Sequence, residues 1–304
     1  MFWAILSGTA ACTNAAYFIA NKKFLMRLDP HVLACSGFLF TSFFLLTLAF
    51  FQGIPVIGPG FLFAALATTF LNILGTTFTF RALSSSDISL AIPMLSFTPL
   101  FLVGTAALLL GEIPSPIGAF GILVIVTGSY VLNTAVEHKR LSDPFRAMIS
   151  HPGVMAMLGV AFLYSISINF DKMVALNTNA VFGPGIVFLM LGISFGIIAV
   201  LTDHGLLPAA LRPHCPAEGR DAPATPWYLI GAGVMTAILI TIEAVCINTA
   251  YLIQIVPYVI AIKRLSIILV VLYGTIIFQE KEILCRVSGA GMMVFGAVLI
   301  LAFS

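Results

Sequence analysis

The sequence predicts an all-α membrane protein, with ten transmembrane helices in two inverted five-helix repeats. Three observations carry this. Of 304 residues, 60% are apolar and only 9% charged, more apolar surface than a soluble chain can cover with its polar residues. The apolar stretches run to about 20 residues, the length of a bilayer-crossing helix, and not in the short alternating segments of a membrane barrel. Finally, the stretch from Ala82 to Leu132 matches that from Ala250 to Ile300 at one constant offset. Glu112 falls on Glu280, Gly121 on Gly289, Gly128 on Gly296, Val103 on Val271 and Ile92 on Ile260.

The spans are expected at residues 2–20, 31–51, 58–82, 88–110, 115–135, 153–173, 180–201, 227–250, 256–278 and 283–303. Met1 opens directly onto apolar sequence with no basic leader, so residues 2–20 read as a first span and not as a signal peptide. Gln52-Gly53-Ile54-Pro55 closes the second span. Ser84 to Asp87 separates the third from the fourth, with Asp87 a candidate cap. Gly111-Glu112-Ile113-Pro114 separates the fourth from the fifth. Val136 to Pro152 holds most of the mid-chain charge and joins the halves, and Thr202 to Pro226 reads as an exposed loop. The organisation is a first repeat at 1–135, a connection at 136–152 and a second repeat at 153–304. Five spans is an odd number, so the second copy enters the membrane upside down relative to the first.

Composition excludes several function classes. The net charge is +2 and no basic run exceeds two residues, so nothing marks a nucleic-acid partner. The five cysteines form no disulfide framework or metal-ligand spacing, and no cofactor or metal is expected. His31, His138, His151, His204 and His214 are scattered singly, which argues against a membrane enzyme and leaves no catalytic residues to nominate. The expected partners are a small-molecule solute and membrane lipid. A monomer and a homodimer both fit. The lack of an organellar leader favours a multi-pass plasma (inner) membrane location.

Ionisable side chains inside a span are costly, about 2.5–3.5 kcal/mol at a helix centre on insertion scales, and so mark function or a fixed pairing. Those well inside the spans, away from the ends, are Glu243, Lys263 and Arg264. Glu243 and Lys263 sit at matching depth on adjacent antiparallel spans, so one of the two cations reaches Glu243 while the other points about 100° away. One reading is a buried pair that fixes the eighth span on the ninth. The other places the pair in a cavity, where Lys263 or Arg264 binds a substrate carboxylate or phosphate and Glu243 competes for the cation or carries a proton. Asn14, Tyr17, Asn72, Asn169 and Asn248 are further candidates for solute contact, with bonding to a neighbouring helix as the alternative. Asp171 and Lys172, at the end of the sixth span, suit an interfacial cap or a gate. Pro93 and Pro257, near the starts of the fourth and ninth spans, can bend those helices and free carbonyls. Glu112 and Glu280 read as interfacial residues that bond the next helix start.

The segment ALSSSDISLAIPMLSFTPLFLVGTAALLLGE, Ala82 to Glu112, resembles the signature of the drug/metabolite transporter superfamily in its EamA branch. There, a third helix ending in Ala-Leu leads to a proline-broken fourth helix that ends in Gly-Glu. Pro116 to Leu132 resembles the glycine-spaced fifth helix of the same domain. The resemblance implies a ten-helix secondary transporter moving a small organic solute by alternating access, such as an amino-acid or related metabolite exporter with possible proton coupling. It also implies that the fifth and tenth helices are peripheral supports and that the others line a cavity. Ala261 to Ile283, AIKRLSIILVVLYGTIIFQEKEI, is similar to the ninth helix of triose-phosphate translocators, where a Lys-Arg pair grips phosphate. That similarity implies an alternative, exchange of organic anions or phosphate esters through Lys263 and Arg264. A channel is the remaining alternative.

Orientation has two opposed indications. The odd-numbered connections hold Lys22, Lys23, Arg27, Arg81, Lys139, Arg140, Arg146, Arg212, Arg220, Lys281 and Arg286, against only Lys172 on the other face. The positive-inside rule therefore puts both termini outside. The family resemblance implies cytoplasmic termini.

Overall fold

The computed structural model describes residues 1–25, 27–85, 92–134, 152–204, 225–278 and 283–303. Asp87, Glu280 and almost all of the 136–152 connection lie outside the described residues. The described chain is helical throughout its spans: α1 (Phe2–Phe24), α2 (Pro30–Gln52), α3 (Phe61–Ser85), a 3₁₀ turn (Ile92–Phe97) that leads into α4 (Thr98–Leu110), α5 (Pro116–Thr134), α6 (Pro152–Leu176), α7 (Phe182–Asp203), α8 (Pro226–Tyr251), α9 (Val256–Lys263), α10 (Ser266–Phe278) and α11 (Ile283–Phe303).

Among the described residues, seven segments are long and apolar enough to cross a bilayer, and three shorter apolar helices accompany them in a multi-span membrane fold. Large apolar side chains face outward along the bundle, with Phe50, Phe51 and Phe63 at least 70% exposed. In water such a surface would drive aggregation; in lipid it is solvated.

Local signals end the helices where polar or special residues allow it. Asp29 caps α2, its carboxylate accepting from the His31 N–H at 2.9 Å while Pro30 occupies the first turn. Asn179 Oδ1 accepts from the Val181 and Phe182 amides at 2.9 and 2.6 Å, which starts α7. Gly111 ends α4 in the left-handed region at φ 70°, which favours glycine, and the Glu112 N–H reaches back to Ala106 O at 3.2 Å. That turn aims Glu112 across the bundle.

Two expected spans are broken. Within the described residues, the fourth runs as the 3₁₀ turn from Ile92 and becomes α-helical at Thr98-Pro99. The ninth divides at Arg264-Leu265, where Leu265, Ile267 and Ile268 each donate to the carbonyl three residues back. The tightened step re-aims the chain beside the Lys263–Arg264 pair.

The helices pair in a pattern that repeats when the halves are exchanged. α1 packs on α8 as α3 packs on α6; α2 packs on α8 as α7 packs on α3. α2 and α7 pack on each other, as do α5 and α11. The α5–α11 seam runs antiparallel: a Cβ on Gly121 would meet Gly296 O at 2.9 Å, and one on Gly128 would meet Gly289 O at 2.7 Å. These are the glycines matched by the sequence repeat. In lipid, where apolar burial between helices gains little, close backbone approach at small residues is a main source of adhesion.

Candidate functional site

A cavity of about 270 Å³ lies where α1, α2, α3, α6, α7, α8 and α9 converge. Its polar lining is Asn14, Tyr17, Asn72, Asp171, Glu243, Asn248, Tyr251 and Lys263, and its apolar lining includes Phe38, Phe188, Leu191 and Ile247. Thus Asn14, Tyr17, Asn72, Glu243, Asn248 and Lys263, all nominated from sequence, come together. α5 and α11 contribute nothing to the lining among the described residues, as expected of supports. α4 contributes nothing either, contrary to expectation.

The ion pair is Glu243 with Lys263, at 2.5 Å and with side chains 13% and 26% exposed. Asn14 Nδ2 donates to both Glu243 oxygens at 3.2 and 3.1 Å, so α1, α8 and α9 are tied together at the cavity wall. Arg264, the next residue, does not line the cavity, and its Nε is buried without a hydrogen-bond partner. The expected choice between the two cations therefore falls on Lys263. Successive residues on a helix diverge by about 100°, so one site does not receive both.

Asp171 corrects an expectation. The sixth helix continues to Leu176, so Asp171 is not a terminal cap. It faces the cavity, and its Oδ1 accepts from the Thr68 hydroxyl at 2.5 Å. Asn72 Nδ2 bonds the Thr68 carbonyl at 2.9 Å and Ser167 Oγ at 2.8 Å, joining α3 to α6 in one network. Thr68 and Ser167 carry no signal that distinguishes them in sequence, since hydroxyls in apolar helices usually bond their own backbone.

Asn169 follows the alternative reading, a bond to a neighbouring helix. It is fully buried away from the cavity, with Nδ2 donating to Thr105 Oγ1 at 3.0 Å and to Ser165 O at 2.7 Å. It fixes α6 against α4. Pro257 is buried in the first turn of α9, where its missing N–H leaves no carbonyl orphaned, so it starts a helix and does not bend one. The backbone of Pro93 lies in the 3₁₀ turn.

Lys172, buried at 8% exposure, forms an ion pair with Glu112 and donates to Gln254 O at 2.9 Å. Glu112 Oε2 also accepts from the Val256 N–H at 2.7 Å. Glu112 therefore caps a helix start, but that of α9 in the other half and not that of the neighbouring α5. The cluster lies immediately beyond Asp171 and Tyr251, on the face of the even-numbered connections. On the opposite side a second cavity, about 190 Å³, shares Tyr17, Phe38 and Ile240 with the first. It continues past Asn21, Leu25 and Pro30 toward the face of the odd-numbered connections.

Comparison with known proteins places the first half of the chain. Residues 1–134 match the EamA-like transporter family. This segment belongs to the EamA family. The match supports a membrane transporter of the drug/metabolite type. A solved structure, described only as a crystal structure of a protein, superposes on 99% of this chain and 98% of its own with a TM-score of 0.73 at 16% identity. At that identity the likeness shows a shared fold, and it spans both halves. No curated protein matches the chain in sequence.

Proposed function

We propose that the protein carries a small organic solute, an amine-bearing metabolite such as an amino acid or a relative of one, through the central cavity by alternating access. The observation that carries the reading is a polar cavity bracketed asymmetrically. One side is sealed by the buried Lys172–Glu112 pair, and the other continues into a second cavity. A carrier caught facing one way has this form. A channel needs continuity through both faces.

The proposal includes two inverted repeats, 1–135 and 153–304, joined by residues 136–152. The antiparallel α5–α11 seam supports inversion, since two equivalent helices related by an axis in the membrane plane must run in opposite directions. Alternation then consists of one half rocking on the other, with Lys172–Glu112 released as the opposite side closes. Glu243 is the proposed coupling group: a proton on its carboxyl frees Lys263 and Asn14 from their shared partner. Net export and a plasma-membrane location complete the proposal.

Organic-anion exchange through a Lys263–Arg264 clamp is less well supported. Lys263 is taken by Glu243, and Arg264 lies outside the lining. Proteoliposome uptake of a panel of labelled amino acids, amines, organic acids and sugar phosphates tests the function. Saturable uptake with trans-stimulation by the same solute is expected; ohmic solute current without saturation would overturn it.

A further inference from the structure

Charge within the cavity narrows the solute. Its ionisable lining among the described residues consists of two carboxylates, Asp171 and Glu243, and one cation, Lys263, apart from tyrosine hydroxyls. Glu243 is fully engaged by Lys263 and Asn14. Asp171 is not: one oxygen accepts from Thr68, and no cation among the described residues stands within ion-pair distance. Lining carboxylates therefore outnumber lining cations by one, and Lys263, which pairs with Glu243, reaches Asp171 only through space.

A second observation points the same way. Asn248 lines the cavity at 7% exposure. Its Nδ2 donates to Ala244 O at 2.8 Å, which fixes the amide orientation and leaves Oδ1 as an acceptor. That oxygen is buried without a hydrogen-bond partner. Buried acceptors without donors are costly, and a small rotation of Asn248 that turns Oδ1 toward the chamber would let a solute N–H supply the missing donor. An unpaired carboxylate and an orphaned amide oxygen in one chamber call for N–H donors with positive charge.

We infer that the transported solute is a net-cationic amine with an apolar body, its ammonium held by Asp171 with Asn248 Oδ1 as a further acceptor. The inference rests on the carrier reading above and restricts it, from amino acids and their relatives to those relatives that lack a free carboxylate. Lys263 is the only lining cation among the described residues, and it is already paired, so no counter-charge remains for a solute carboxylate. The aromatic and aliphatic wall of Phe38, Phe188 and Leu191 suits a hydrocarbon body.

Three probes with similar bodies test it: phenethylamine, phenylalanine and 3-phenylpropionate, binding to purified full-length protein by scintillation proximity or calorimetry. Phenethylamine should bind at least about tenfold more tightly than either carboxylate-bearing probe, as expected for one charge-assisted hydrogen-bonded pair. Asp171→Asn should lower that affinity by a similar factor, and Asn248→Leu should lower it less. Monodisperse elution of each variant separates lost binding from lost folding, and Asp171→Glu, which keeps the charge, should retain amine binding. Tightest binding of phenylpropionate, unchanged amine affinity in folded Asp171→Asn, or no binding of any probe would overturn the inference. Amine binding without saturable vesicle uptake would leave this site standing and remove the carrier reading. Uptake of carboxylates indifferent to Asp171 would do the reverse.

Discussion

Lys172 of α6 and Glu112, one residue past the end of α4, form a buried ion pair that joins the first half of the chain to the second. The pair is completed by the backbone. Lys172 also donates to Gln254 O and Glu112 accepts from Val256 N, so one cluster binds α4, α6 and the start of α9. Its polar groups satisfy one another, which is how such charges persist inside a bundle. The left-handed Gly111 makes the arrangement possible by turning the chain before Glu112.

Removing either member strands the other. Lys172→Met should destabilise the protein by about 3–5 kcal/mol, the usual cost of leaving a buried charge without its partner. Glu112→Gln should cost less, because the amide oxygen can still accept from Val256 N. The double variant should recover part of the loss, giving a coupling energy of about 1 kcal/mol or more in a double-mutant cycle. Thermal or denaturant unfolding in detergent reads this. Strictly additive effects would show that the pair contributes no interaction of its own.

The α5–α11 seam makes a second prediction. A Cβ on Gly128 meets backbone and Met292 Cβ within 3.0 Å, whereas one on Gly231 meets nothing within 4 Å. Gly128→Val should therefore lower stability by about 1–3 kcal/mol through forced separation of the helices. Gly231→Ala, at an exposed helical position, should be neutral or stabilising by up to about 1 kcal/mol. Melting temperatures of the two variants in the same detergent should move apart, with only the seam variant falling. Equal shifts would refute the close packing.

Much of this was legible in the sequence because membrane spans announce themselves by length and composition. The matched glycines of α5 and α11, the ionisable residues of α8 and α9 and the Asn14–Tyr17 face of α1 were all visible for the same reason: each interrupts an otherwise apolar helix. What was not legible depended on where helices meet. Asn169 and Asn248 look alike in sequence, yet one bonds α4 and the other faces the cavity. Hydropathy fades at Asp171-Lys172, which suggests a helix end, while the backbone stays helical to Leu176 because Glu112 pairs with Lys172 and the Thr68 hydroxyl bonds one oxygen of Asp171. Glu112 caps α9, far along the chain, a relation that local capping rules do not reach.

Lys263 and Arg264 are neighbours with different environments, and substitution should separate them. Lys263→Met leaves Glu243 without its cation and should cost about 3 kcal/mol. Arg264 already has a buried Nε without a partner, so Arg264→Met should cost less than about 1 kcal/mol or stabilise, since an apolar side chain removes an imperfectly satisfied charge. Unfolding midpoints give the order directly. A larger loss at Arg264 would mean that its guanidinium carries a structural pairing comparable to that of Lys263.

Glu243 is the group whose protonation would alter the cavity, because Lys263 and Asn14 both depend on its carboxylate. Arg264, Tyr17, Tyr251 and Cys246 also feel its charge from α1, α8 and the α9–α10 break. Glu243→Gln keeps the shape and an acceptor for Asn14 while removing the titration. If Glu243 couples proton movement to solute movement, the variant should still exchange labelled for unlabelled solute across a vesicle membrane. It should no longer accumulate solute when a pH difference is imposed. The two assays use the same vesicles, so a folding defect would depress both, whereas loss of coupling depresses only the second. Gradient-driven accumulation that survives in Glu243→Gln would assign coupling elsewhere, and Asp171, the other carboxylate facing the cavity, would be the next group to substitute.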